Sequence, residues 1–225
     1  DGFLHAYSNR ADPSRVLEGI DSGFQILQTS VKVHACCRYM HSPIDAVLKI
    51  VKENNLGGEQ VKKIKIGVLR AGAHLIAEPI ESKYSPQSIV DAQFSMPFGA
   101  AAALLYGRAG LKEFKPAIIR SKPIRETMRK VECIIDPELE RTFPKQWRAF
   151  AEILTEDEKR YSTTVEYPKG DPENPLSWEE MIARFHDLTG QILKKDQRMK
   201  IVEAVKKLDG IKNMRKWSSR LLRKE

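Results

Sequence analysis

The longest apolar run of the chain, Met96-Pro97-Phe98-Gly99-Ala100-Ala101-Ala102-Ala103-Leu104-Leu105-Tyr106, follows Ser95 and stops at Gly107. A hydroxyl at the N-cap, Pro in the first turn and Gly just past the end together read as one alanine-rich helix. It falls well short of the roughly 18 apolar residues that a membrane-spanning helix needs, and no other run is longer. No membrane partner is expected. With 225 residues, 41% hydrophobic and 30% charged, the chain has the make-up of a soluble globular protein of one large domain or two small ones. The opening Asp1-Gly2-Phe3-Leu4 lacks the basic start and apolar middle of a signal peptide, and the missing initiator Met suggests a start inside a longer polypeptide.

Hydrophobic spacing divides the chain. Residues 12–30 carry Val16, Leu17, Ile20, Phe24 and Leu27 near a 3.6 period, with Ile26 at the edge, and predict a helix. Ser42-Pro43-Ile44-Asp45 predicts a second helix, with Ser42 as N-cap and an acid at the third position. Gly57-Gly58 would end it. Lys63-Ile64-Lys65-Ile66-Gly67-Val68-Leu69 alternates at period two, a strand with Ile64, Ile66 and Val68 inward. A short helix over 125–130 and strands over 131–136 and 162–167 follow. The turn-rich Pro168-Lys169-Gly170-Asp171-Pro172-Glu173-Asn174-Pro175 is the best boundary. Beyond it, Leu176-Ser177-Trp178-Glu179-Glu180-Met181 carries a capping box and a staple opening an all-helical end. The fold class is α+β, flanked by helices.

Three cysteines, two of them adjacent, make a poor disulfide framework, so a reducing, cytoplasmic setting is expected. The net charge of +8 is concentrated between Lys194 and Lys224. A nucleic-acid module would interleave aromatics with that basic stripe, and the tail offers Trp217 alone, so a solvated helical face is expected and no nucleic-acid partner.

The stretch Lys32-Val33-His34-Ala35-Cys36-Cys37-Arg38-Tyr39-Met40-His41 runs directly into the expected helix start. Helix N-termini attract anions, and Lys32, Arg38 and His41 would concentrate positive or titratable groups beside one. A carboxylate is the natural ligand, held bidentately by a guanidinium. Zinc on His34, Cys36, Cys37 and His41 is an alternative, against which stands the absence of a second ligand pair downstream. A reactive thiol beside Arg38 is another. Farther on, Asp91, Gln93 and Ser95 precede the alanine-rich helix, Ser95 as its cap.

Taken in order, these tracts resemble the MmgE/PrpD family. Lys32, then Cys37, then His41 with Ile44-Asp45 is similar to the opening of that family's C-terminal region. Lys83, Pro86 and Asp91-Ala92-Gln93-Phe94-Ser95, then the small-residue helix ending in Leu104-Leu105-Tyr106-Gly107, resemble its second signature. Met128-Arg129-Lys130-Val131 and the 170–177 turn stand where later landmarks are expected. Between the Lys and the Cys the family often has an aromatic residue and a proline, where this chain has His34 and Ala35.

The family includes 2-methylcitrate dehydratase, cis-aconitate decarboxylase and iminodisuccinate epimerase. Resemblance therefore implies the C-terminal portion of a lyase that acts on small polycarboxylates by proton abstraction and elimination of water. Decarboxylation or epimerisation is the alternative within the family, and a non-catalytic basic binding module the alternative outside it. The implied architecture is a lid-type α+β domain with a small mixed sheet over 31–170, between helices of 1–30 and 171–225 that belong to a helical domain. Lys32 and His41 are implied as catalytic residues, and Arg38, Cys37, Gln93, Ser95 and Lys83 as substrate-binding residues. No metal or organic cofactor is implied. A homodimer is, and an N-terminal helical half is implied to complete the active site, leaving this chain inactive alone.

Overall fold

The computed structural model describes residues 2–221; Arg223 and Lys224, the end of the basic tail, lie outside them. Strand β1 (Val61–Val68) buries Val61, Ile64, Ile66 and Val68 and leaves Lys63 exposed, as its alternation requires. It pairs in parallel with β2 (Val131–Ile135) and antiparallel with β3 (Ala149–Thr155), which pairs antiparallel with β4 (Arg160–Val165). The order β2-β1-β3-β4 makes a mixed sheet, and the fold is α+β.

Helices α1 (Phe3–Tyr7) and α2 (His41–Asn54) precede the sheet. A parallel pair needs a long crossover, and here it carries α3 (Arg70–Ile76), α4 (Ile80–Lys83), α5 (Ile89–Gln93), α6 (Met96–Tyr106), α7 (Pro116–Ile119) and α8 (Lys122–Met128). After β2 come α9 (Pro137–Glu140) and, beyond the sheet, α10 (Trp178–Thr189), α11 (Lys195–Lys206) and α12 (Met214–Leu221). No helix among the described residues is long and apolar enough to cross a membrane.

A helix that is apolar all round must be buried, and α6 is buried from Met96 to Leu104. It packs against α2, α8 and β2, while α2 lies on β3 and β4. Small residues set the spacing: a Cβ on Gly99 would stand 2.7 Å from Met40 Cε and 3.0 Å from Ile44 Cδ1. The α6 caps match the sequence reading, with Ser95 accepting from the Phe98 amide and Gly107 left-handed at φ 64°. The Ser177–Glu180 capping box also forms.

Several expectations fail. Residues 12–30 are not one helix: Pro13–Leu17 and Gln25–Gln28 are short 3-10 segments, with Gly19 and Gly23 at positive φ between them. Val16, Leu17, Ile20, Phe24, Ile26 and Leu27 are exposed. An amphipathic stripe gains most of its helical stability from a surface that covers it, and none does so among the described residues. Helix α2 starts at His41, not after Ser42. Ser42 lies inside its first turn and donates to the Trp147 carbonyl, and the turn from His41 to Ile44 is buried, so this helix end offers no open anion site. The helix stops at Asn55 (φ 50°), before Gly57. Strand β3 escapes the sequence reading, and β4 begins at Arg160 instead of Ser162.

Residues 31–37 cross the molecule outside the sheet. Their amides donate at three points: Val31 to the Gly170 carbonyl at 2.8 Å, Ala35 to Ala109 at 2.9 Å and Cys37 to Gln93 at 2.9 Å. Gly170 is required at the first anchor. Its φ is +96°, and a Cβ there would stand 2.0 Å from the Val31 carbonyl oxygen. Gly170→Ala therefore combines left-handed strain of about 1–2 kcal/mol with a backbone clash, and should lower the thermal midpoint by roughly 4 °C or more. Gly107→Ala, with nothing near its Cβ, meets the strain alone and should lower it less. Equal midpoints for the two variants in thermal melts would show that Val31 is not fixed by Gly170.

Candidate functional site

The anchored segment forms one side of a hollow of about 320 Å³, near the lower end of ligand-pocket sizes. Lys32, His34 and Cys37 reach it from the segment, Gln93 from the end of α5, and Arg184 and Asp187 from α10. Lys32 is exposed, its Nζ 3.3 Å from the Cys36 carbonyl, to which it donates. Gln93 donates its amide to the Ala35 carbonyl at 2.8 Å, which fixes the carboxamide against the segment. Arg184 donates to the Val33 carbonyl at 2.6 Å and ties α10 to the same strand-like run. Burial pushes this guanidinium below its ordinary value. The Asp187 carboxyl is held below the usual range by a hydrogen bond from Lys112, at 2.8 Å.

Two histidines stand behind and beside the hollow, their ring centroids 5.1 Å apart. His34 places Nε2 2.7 Å from Asp45 Oδ1, and Asp45 Oδ2 accepts the Lys169 amide at 2.7 Å. His41 is fully buried and neither ring nitrogen has a partner among the described residues. Burial pushes its imidazole down to about 3, and His34, Arg38 and Lys32 add to the effect. An imidazolium with no acceptor in an apolar interior is unfavourable, so the ring stays neutral.

Three of the residues picked from the sequence meet in the hollow: Lys32, Cys37 and Gln93. His41 adjoins it from inside the core. Arg38 points elsewhere, paired with the buried Asp171 and lying 5.0 Å from the centre of the Trp147 ring. Ser95 donates to the Lys83 carbonyl at 2.6 Å while it caps α6, and Lys83 Nζ donates to the Leu75 carbonyl at 2.6 Å. His34, Cys36, Cys37 and His41 do not converge as metal ligands. The sequence reading passed over the His34–Asp45 pair as well as Arg184 and Asp187. The pair is separated by a turn of irregular chain that has no period. Arg184 and Asp187 sit on a helix whose start was legible but whose docking was not.

A family model described as the MmgE/PrpD C-terminal domain matches residues 34–209. A cis-aconitate decarboxylase-like protein of Aspergillus oryzae (strain ATCC 42149 / RIB 40) is 22% identical over 203 residues, which cover 88% of this chain and 41% of the relative. The chain thus spans less than half the length of that relative.

The state of His41 has a consequence for stability. Its ring titrates at about 3 in the fold against 6.5 ordinarily, so between those values the unfolded chain binds more protons than the folded one. The neutral ring's contribution is complete above about pH 6.5 and is lost as pH falls toward 3, by up to about 1.4 kcal/mol per pH unit. Urea melts from about pH 6 to pH 4 should show a shallower decline for His41→Leu than for the parent chain. Parallel declines would mean that the ring takes up its proton in the fold.

Proposed function

The chain belongs to the MmgE/PrpD family, and we propose that it forms one wall of a lyase site that removes a proton beside a carboxylate of a small polycarboxylate and expels water. The observation that carries this reading is the hollow itself, where the ammonium of Lys32 and the guanidinium of Arg184 share a space with the carboxamide of Gln93. Breaking a C–H bond next to a carboxylate builds negative charge on its oxygens. Cations fixed in advance stabilise that charge, each contributing roughly a hundredfold or more in rate.

In this reading Lys32 and Arg184 bind the carboxylates, and Gln93 and Cys37 line the substrate. His41, Arg38, Ser95 and Lys83 act at one remove by holding the walls. The site uses its own side chains, with no metal, organic cofactor or nucleic acid. Further polypeptide, a helical half and a second copy, completes the cleft. A second reading, loss of carbon dioxide in place of water, is favoured by the name of the Aspergillus relative. Both begin with charge developing beside a carboxylate.

Product analysis on a panel of citrate-like and aconitate-like acids separates the two. The chain alone should turn these acids over at background, and adding a helical half of the family in trans should restore turnover. In that assembly Lys32→Ala should lower kcat/KM by about a hundredfold or more with little change in thermal midpoint. Undiminished turnover by Lys32→Ala would remove the carboxylate-binding role. Turnover of none of the acids would remove the lyase reading.

A further inference from the structure

The fully enclosed ring of His41 presents no nitrogen to the hollow, whereas His34 lines both this hollow and the neighbouring one between the segment and α10. We propose that His34, oriented by Asp45, is the proton-transfer residue of the site. This rests on the lyase reading above and names the residue that performs its central step.

The geometry is that of an imidazole held by a carboxylate. Asp45 Oδ1 is 2.7 Å from Nε2, so the neutral ring, itself buried at 4% exposure, carries its proton on Nε2 and keeps a lone pair on Nδ1. Asp45 is itself fixed by the Lys169 amide, at 2.7 Å. Nδ1 has no partner among the described residues, and it is not one of the sealed-off polar atoms. Charged and titratable groups face the ring from several elements. From α2 come Asp45 and the neutral His41; from its own segment, Lys32; from α10, Arg184 and Asp187. Across the neighbouring hollow stand Arg108, Lys112 and Lys169, with Glu180 and His186 beside them. Arg108, Lys112 and Lys169 are paired with Glu113, Asp187 and Glu180, so Lys32 and Arg184 are the cations that draw a carboxylate toward this ring.

The step balances within the pair. The Nδ1 lone pair forms an N–H bond as the substrate C–H bond breaks, and the released electron pair becomes the second bond of the new C=C. The C–O bond to the adjacent hydroxyl breaks, and the oxygen leaves with its electron pair. It takes the proton from Nδ1 and departs as water, so the imidazole ends neutral. Asp45 is a positioning residue: its charge holds the tautomer and steadies the transient imidazolium.

Two substitutions keep the local bonds and remove the chemistry. His34→Gln sets an amide nitrogen where Nε2 stands and still donates to Asp45. Asp45→Asn can accept the Lys169 amide while donating to Nε2, which forces the proton onto Nδ1. In the assembled enzyme each should lower kcat by about a hundredfold or more with KM changed by less than about threefold. His34→Gln should also erase the acidic limb of the kcat–pH profile. Wild-type kcat and an intact limb in His34→Gln, with Lys32→Ala inactive, would overturn the role of His34 and leave the lyase reading standing.

Binding gives a second, independent readout. Citrate added to a histidine-labelled chain should move the His34 ring-nitrogen NMR signals, Nδ1 more than Nε2, and should fail to move them in Lys32→Ala. Binding of citrate that depends on Lys32 yet leaves the His34 signals unmoved would overturn the proposal. Absence of any citrate binding would overturn both readings.

Discussion

Three backbone hydrogen bonds decide where residues 31–37 run, and the site exists because of them. A segment outside a sheet must find partners for its amides elsewhere, and this one finds them on Gly170, Ala109 and Gln93. These acceptors come from the turn after β4, the loop after α6 and the end of α5, elements far apart in the chain. Each bond contributes only about 1 kcal/mol net, so their value is positional. They hold Lys32 and His34 at fixed points against the ends of α5 and α10. The absence of a side chain at Gly170 is what lets the first of them form.

Two carboxylates then divide the basic side chains between structure and chemistry. Asp171 is buried and takes Arg38, which is further shielded by Trp147. Removing either partner would leave an uncompensated charge in the interior, so such a pair fixes conformation more than it adds stability. Asp45 is half-buried and takes His34 together with a backbone amide. Arg38 is therefore consumed inside the chain, and the guanidinium near the hollow is Arg184, supplied from a helix about 150 residues onward.

What could be read from the sequence was whatever a short window determines. The β1 alternation, the caps of α6 and the Ser177 capping box rest on contacts within a few residues, and all three form. Strand β3 was lost because its inward positions are Ala149, Ala151, Ile153 and Thr155, with small residues where α2 packs closely. Ala149 and Ala151, with Glu152 after them, lack the β-branched signature of a strand. The 12–30 stripe misled in the opposite way, since periodicity reports a wish for a covering surface and cannot supply one. In the site, Lys32, Cys37 and Gln93 were legible from family spacing. The pairing of His34 with Asp45 was not, because it depends on how an irregular segment folds back over the first turns of α2.

The contrast between the two histidines is the deepest part of the arrangement. Both belong to one short stretch, and their rings lie 5.1 Å apart. One has a carboxylate at hydrogen-bond distance; the other has no side-chain partner among the described residues and is closed off from water. Two imidazoliums at that separation would repel, and burial removes the water that would screen them. Holding His41 neutral therefore keeps a second positive charge away from His34 during any moment when His34 carries a proton. The neutral ring also serves as an apolar wall that limits how far solvent penetrates behind the hollow. Both rings are buried, and the one that lines the hollows and has a carboxylate partner is left to exchange protons, a division of labour set by packing around α2 and not by residue type.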